Sequence, residues 1–151
     1  MSNLFFAVKW LKAFRSSAED VVALYGEPFS FTDPILDQHG ISEREDLLRV
    51  FAPYANKDES NGIGINNFRV DEVVGDGEGA VYRWTWEAPT AQAFLGIPTP
   101  DKTPGSRGIT LHLYYPDGKI SREESYWDAV AAVAPFVPEI DRVNKFKPVA
   151  A

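Results

Sequence analysis

Three acids stand where the chain has just built apolar surface. Phe29-Ser30-Phe31-Thr32 alternates like a strand and runs into Asp33-Pro34. The stretch from Ile120 to Trp127 does the same and hands over, through Tyr126-Trp127, to Asp128. Glu123 shares a strand face with Ser125 and Trp127, because side chains alternate along a strand. A carboxylate held against apolar surface loses solvation; its pKa rises and it becomes a stronger base. Each acid also has a plainer role. Asp33 can bond the backbone of its own turn. Asp128 can cap a helix beginning at residue 129, a role that would lower its pKa and weaken it as a base. Glu123, if it points inward beside Trp127, needs a partner, for which Arg83 or Arg107 are candidates.

Other chemistries find little support. There is no Cys, hence no thiol nucleophile, disulfide framework or thiolate metal site. The two His, His39 and His112, are too far apart for a recognisable metal spacing. No Gly-rich phosphate loop, Ser nucleophile elbow or zincin helix is present. Gly75-Asp76-Gly77-Glu78-Gly79 is a hairpin turn without the spaced ligands of a calcium loop. The formal net charge is −7 with no Lys/Arg cluster, which argues against nucleic acid and against an anionic membrane surface. No stretch approaches the roughly 18–20 apolar residues of a membrane span. Residues 1–14, interrupted by Lys9 and Lys12, read as a folded amphipathic helix rather than a targeting segment. A cytoplasmic protein is expected.

The elements that must position the acids follow from hydrophobic period. Leu4, Val8, Leu11 and Phe14 recur at helical spacing, and Phe6, Trp10 and Ala13 widen that face. Capping boxes are expected at Ser16–Glu19 and at Ser42–Glu45, each opening a helix. Residues 34–41 read as loop. Beyond residue 62 the period switches to two. A long strand through Ile63, Ile65, Phe68, Val70 and Val73 is expected, bulged at Asn66-Asn67. Strands then follow over Ala80–Glu87, Arg107–Tyr115 and Ile120–Trp127, with a short helix over residues 129–136. Residues 88–106, with four Pro and two Gly, form a connection long enough to act as a rim or lid. Helices first and an antiparallel sheet last make an α+β protein, whose sheet can curl around the helices and leave a cavity at its open end. Trp84 and Trp86 share a strand face, with Phe68, Phe94 and Trp10 as neighbours, a flat-walled lining suited to aromatic or polycyclic ligands. The whole of residues 1–151 is expected to be one domain, with a core over about 4–136 and a tail over 137–151.

The helix "WLKAF", the "FTDP" at 31–34 and "YYPDGKISREESYWD" at 114–128, with this order of elements, resemble the nuclear-transport-factor-2-like superfamily. That superfamily covers ketosteroid isomerases, SnoaL-like polyketide cyclases and limonene epoxide hydrolases. The resemblance spans about residues 4 to 135. It implies a cone: a curved antiparallel sheet wrapped around N-terminal helices, enclosing an apolar pocket. It also implies that Asp33 holds the place of the isomerase base and Asp128 that of the acid that activates water or drives cyclisation. Trp10 and Leu111 then stand where the isomerases keep the donors to their oxyanion, and Leu111 can donate nothing. The epoxide hydrolase Arg-x-Asp pair has no counterpart in Arg83-x-Thr85 or Thr85-x-Glu87. With Leu111 lining the cone, Leu113 lines it too and His112 faces away.

The expected protein is therefore a cofactor-independent enzyme of isomerase or cyclase type. Asp33, Asp128 and Glu123 are its candidate catalytic acids. Trp10, Phe31, Trp84, Trp86, Leu111, Leu113 and Trp127 are its candidate substrate contacts. The substrate is a hydrophobic small molecule; no metal or cofactor is implied, and a homodimer is expected. The alternatives are epoxide-hydrolase-like water addition, or a non-catalytic domain that uses the same cone for binding.

Overall fold

The computed structural model describes residues 3–140, excluding the side chains of residues 37–39. His39 and most of the expected tail lie outside the described residues.

Helix α1 (Asn3–Ala13) is apolar around much of its circumference, so its sequence does not by itself select the buried face. The face that packs carries Phe6, Ala7, Trp10 and Leu11. Leu4 and Val8, expected inward, are exposed. The larger rings win: Trp10 and Phe6 meet the His112 ring at centroid distances of 4.5 and 5.9 Å. Helix α2 (Ala18–Val22) starts one residue later than the expected box. Ser17 is its N-cap and accepts from the Asp20 amide at 3.1 Å, while the Ser16 hydroxyl bonds the Asp20 carboxylate. Helix α3 (Arg44–Phe51) is likewise displaced: its N-cap is Glu43, which makes no side-chain capping bond.

Strand β1 (Tyr25–Asp33) is longer than its alternating core, and residues 34–41, expected as loop, contain strand β2 (Asp37–Ile41), paired antiparallel to β1. Strand β3 (Asn67–Asp76) begins after Ile63 and Ile65, and its register shift falls between Val70 and Glu72 rather than at Asn66-Asn67. Strand β4 (Gly79–Glu87) follows by a hairpin. The long connection folds part of itself into a two-stranded ribbon, β5 (Ala93–Phe94) with β6 (Ile97–Pro98). Strands β7 (Gly105–Tyr114) and β8 (Ile120–Trp127) complete the main sheet. Helix α4 (Ala129–Val133) and a 3₁₀ turn over Ala134–Phe136 follow.

The six main strands run in the order β2-β1-β8-β7-β4-β3. Neighbours are antiparallel except β1 and β8, which are parallel and bring Phe31 beside Glu123. The sheet is therefore mixed rather than wholly antiparallel. It curves around the N-terminal helices without closing, the α+β cone of the nuclear-transport-factor-2-like fold.

Which face of β7 turns inward is decided across the β4–β7 pairing. Trp84 is opposite Gly108 and Tyr82 opposite Thr110. A Cβ on Gly108 would lie 2.2 Å from the Trp84 ring, so only glycine lets the indole lie flat across this strand. The indole N–H then donates to Thr110 Oγ1 at 3.0 Å. Even-numbered residues of β7 accordingly face the core, and His112 is fully buried. Leu111 and Leu113, expected to line the cone, sit on the outer face, Leu113 exposed and Leu111 half-buried. His112, expected outside, takes the inner position.

Gly108→Ala should therefore displace the Trp84 ring. Urea denaturation is expected to show a loss of about 1–3 kcal/mol, as for overpacking of a tight interior, together with a changed tryptophan emission. An alanine variant with unaltered stability and emission would show that the indole does not depend on this gap.

Candidate active site

The inner face of the sheet and the helices enclose a hollow of about 70 Å³. All four tryptophans of the chain line it: Trp10 from α1, Trp84 and Trp86 from β4, and Trp127 from β8. Phe31 from β1 and Phe68 from β3 add further walls, and the β5–β6 ribbon lays Phe94 against Trp86 and Trp127 at centroid distances of 5.0 and 5.8 Å. The long connection thus serves as part of the wall. A hollow of this size takes only a compact group. It is well short of the roughly 300 Å³ or more of drug-sized sites, so a polycyclic ligand does not fit inside it in this shape.

Two of the three expected acids reach this hollow, Asp33 and Glu123. Asp33 ends β1 and is 3% exposed. Its Oδ1 accepts the backbone N–H groups of Ile35 and Leu36 at 2.9 and 3.1 Å, the turn role open to an Asp in this position. The Trp127 indole N–H bridges both oxygens, at 3.1 Å to Oδ1 and 3.0 Å to Oδ2. The two roles are divided between the oxygens: Oδ1 holds the turn, and Oδ2 has the indole as its partner among the described residues. Burial pushes the Asp33 carboxyl above its ordinary pKa. The Leu36 and Ile35 amides and the Trp127 indole pull the other way, and the Glu123 charge adds a push upward. Desolvation wins. Tyr54, half-buried in the same lining, has its phenol raised by burial first and then by the Asp33 charge, so it stays protonated as a hydrogen-bond donor.

Glu123 is 1% exposed and satisfied differently from the expectation. Arg83 lies on the outer face and pairs with Glu72, and Arg107 is exposed. Instead Tyr25 donates its O–H to Glu123 Oε2. His112 Nε2 stands 3.2 Å from Oε1, and the Ser125 hydroxyl donates to the same oxygen at 3.4 Å. His112 Nδ1 is 3.3 Å from the Tyr114 hydroxyl. Ser125 and Thr110 share a further bond at 2.7 Å, which leads to the Trp84 indole. Burial, then the Glu123 charge, raise the Tyr25 phenol well above its ordinary pKa, while the Trp10 indole N–H lowers it somewhat.

Asp128 takes the plainer role. It is the N-cap of α4, its Oδ1 accepting the Ala131 amide at 2.9 Å, and it lies outside the hollow's lining. The acid facing Asp33 inside the cone is Glu123, not Asp128. Leu111 and Leu113 are likewise absent from the lining, as the parity of β7 requires. Four contributors were not identified from the sequence: Tyr25, Tyr54, Asn66 and His112. Asn66 is buried, accepts the Trp86 indole N–H at 2.7 Å and donates to the carbonyls of Tyr54 and Phe14. The signal available for His112 was Gly108, an interior glycine that marks close approach from a neighbouring strand and so sets the parity of β7. Tyr25 and Asn66 carry no comparable sign. Among the described residues no cluster of His, Asp and Glu suited to a metal ion occurs, and no helix is long and apolar enough to cross a membrane.

The fold has solved counterparts. AclR, a hydroxylase candidate from Streptomyces galilaeus, superposes with a TM-score of 0.69 at 10% identity, covering 92% of this chain and 84% of that one. A ketosteroid-isomerase-like fold protein from Catenulispora acidiphila, solved with trimethylamine, gives 0.65 at 12% identity over 86% and 90%. A polyketide cyclase candidate from Acidithiobacillus ferrooxidans gives 0.66 at 16% identity over 90% and 97%. At these identities the likeness is one of fold. Among curated proteins there is no sequence match. The SnoaL-like domain profile matches residues 7–123, from within α1 to the buried glutamate of β8, and the chain belongs to the SnoaL-like domain family.

Proposed function

We propose that the protein is a small-molecule enzyme of isomerase or cyclase type, in which Asp33 moves a proton within the aromatic hollow without a cofactor. The observation that carries this reading is the Asp33 carboxylate: buried in the lining, raised in pKa by desolvation, and held by its backbone donors through Oδ1, with only the shared Trp127 indole on Oδ2 among the described residues. In this scheme Oδ2 accepts a proton from a carbon acid, or from water, and returns it at a second position. The Trp127 N–H holds the carboxylate in place, and the protonated Tyr54 hydroxyl serves the oxygen on which charge develops. Glu123, held by Tyr25, His112 and Ser125, keeps the floor of the hollow negative and supports the raised pKa of Asp33. Family membership and the cyclase and hydroxylase candidates among the relatives support small-molecule chemistry of this class. The hollow has room for one compact group of a substrate, such as an amine of the kind held by the Catenulispora acidiphila relative. Epoxide-hydrolase-like water addition is disfavoured, because Arg83 is directed to the outer face. A homodimer belongs to the same proposal: Val81, Ile109, Leu113 and Tyr126 leave apolar side chains exposed on the outer face of adjoining strands.

Proton transfer is tested by hydrogen–deuterium exchange. Small carbon acids are incubated with the protein in heavy water and followed by NMR. Catalysed exchange is expected for at least one class and should fall by about 10²- to 10⁴-fold in Asp33→Asn, while Asp128→Asn retains it. Exchange surviving in Asp33→Asn would remove Asp33 as the base, and exchange with none of the carbon acids would leave the non-catalytic binding domain as the better reading.

The raised pKa also has a stability signature. A carboxyl whose folded pKa exceeds its unfolded one binds protons more tightly in the folded state, so unfolding is favoured as pH rises between the two values. Its contribution is present below the ordinary carboxyl pKa and is lost as pH rises through the folded value. Asp33→Asn keeps the Oδ1 acceptor and removes the charge. Relative to the parent, the variant should gain stability as pH rises above the ordinary carboxyl range in urea titrations. A relative loss there would contradict a desolvated carboxylate.

Light scattering is expected to give the mass of two chains, and Ile109→Glu the mass of one. A parent protein already at the mass of one chain removes the dimer from the proposal.

A further inference from the structure

We infer that the group seated in the hollow is a compact alkylammonium cation. The inference rests on the proposal that the hollow is a ligand site and goes on to assign the charge and shape of what it takes. Three independent features converge. The first is size: about 70 Å³ suits a compact headgroup and not an extended ligand. The second is charge. Asp33 and Glu123 both reach the lining, and among the described residues no Lys, Arg or His does. The nearest basic ring, His112, stands behind Glu123 at 3.2 Å and is not part of the lining. Of the two carboxylates only Glu123 has a basic ring beside it; Asp33 has no cationic group against it among the described residues. The third is the arrangement of rings. Phe68 meets Trp84 at 80° and 5.4 Å, Trp86 meets Trp127 at 60° and 6.5 Å, and Phe31 meets Phe51 at 79° and 5.3 Å. Rings crossed at such angles cannot stack as one slab around a flat guest. They wall a compact space from several directions, and the negative faces of indole and phenyl rings favour a cation with little water on it.

A neutral hydrocarbon of the same size would gain the same apolar contact and leave the Asp33 carboxylate without a counter-charge. A metal ion would need a third charged or imidazole ligand beside the two carboxylates, and among the described residues no such cluster occurs. Alkylated nitrogen meets both conditions, its charge spread over methyl groups that pack against the aromatic walls.

The test uses the full chain, tetramethylammonium chloride as the cationic probe and tert-butyl alcohol as a neutral probe of similar size, in a constant background of sodium chloride at about pH 8. The four tryptophan indole N–H resonances report occupancy, since all four indoles line the hollow. Tetramethylammonium is expected to shift them with an affinity about 10- to 30-fold higher than tert-butyl alcohol. Asp33→Asn and, separately, Phe68→Leu should each lower the cation's affinity about tenfold while leaving the alcohol's unchanged. Equal or tighter binding of the alcohol overturns the cation and leaves the ligand chamber standing. Indole resonances unmoved by either probe overturn both the cation and the chamber. Loss of both probes alike in a folded Asp33→Asn also counts against the cation, since it would mark a change in shape rather than in charge.

Discussion

The architecture of the cone's interior depends on the contact between Trp84 and Gly108. It is a steric constraint before it is a hydrogen bond. The indole occupies the space a side chain on β7 would take, and its N–H reaches Thr110. Once that ring is inward, strand alternation leaves β7 no freedom. Thr110 and His112 must face in, and Ile109, Leu111 and Leu113 must face out. His112 is then delivered to Glu123, and Thr110 to Ser125. The polar floor of the hollow is thus a consequence of an aromatic wall fitting against a strand that has a gap in it.

That floor and the acid at the end of β1 divide the electrostatic work. Glu123 is held by three side-chain groups contributed by β1, β7 and β8. Such a fully partnered carboxylate is the kind of buried charge a fold tolerates. Asp33 is less completely satisfied. Its backbone donors gather on one oxygen, and burial outweighs them. The contrast explains why two acids in one lining need not do the same thing: one is fixed by its partners, and the other retains an oxygen whose one indole donor is shared. Asp128, at the other strand end that looked suited to chemistry, spends its Oδ1 on starting α4.

The fold was legible because it rests on period and punctuation, which are local. The turn at 75–79 and the last strand at 120–127 lie where those signals put them, while the alternating run becomes strand only from Asn67. Capping boxes were displaced by one residue, since adjacent serines at 16 and 17 offer the same chemistry at two positions. The site was legible only where a residue's role followed from its own strand. Asp33, Glu123, Trp84, Trp86 and Trp127 could be placed inward from alternation. What failed were inferences that crossed from one strand to another. Assigning Leu111 inward by likeness inverted β7, and Glu123 was assigned an arginine when its partners were a tyrosine nearly a hundred residues earlier and a histidine on the adjacent strand. Long-range pairing of this kind is a property of register, which a single strand does not carry.

Asn66 gives the hollow a mechanical property. One amide side chain receives the Trp86 indole and donates to the backbone after α3 at Tyr54 and to the backbone just beyond α1 at Phe14. Three walls that share no covalent neighbourhood are thereby geared to a single axle. Dilation that draws Tyr54 aside must pull on the end of the first helix and on the indole of β4 together, so the aperture widens in concert and not one panel at a time.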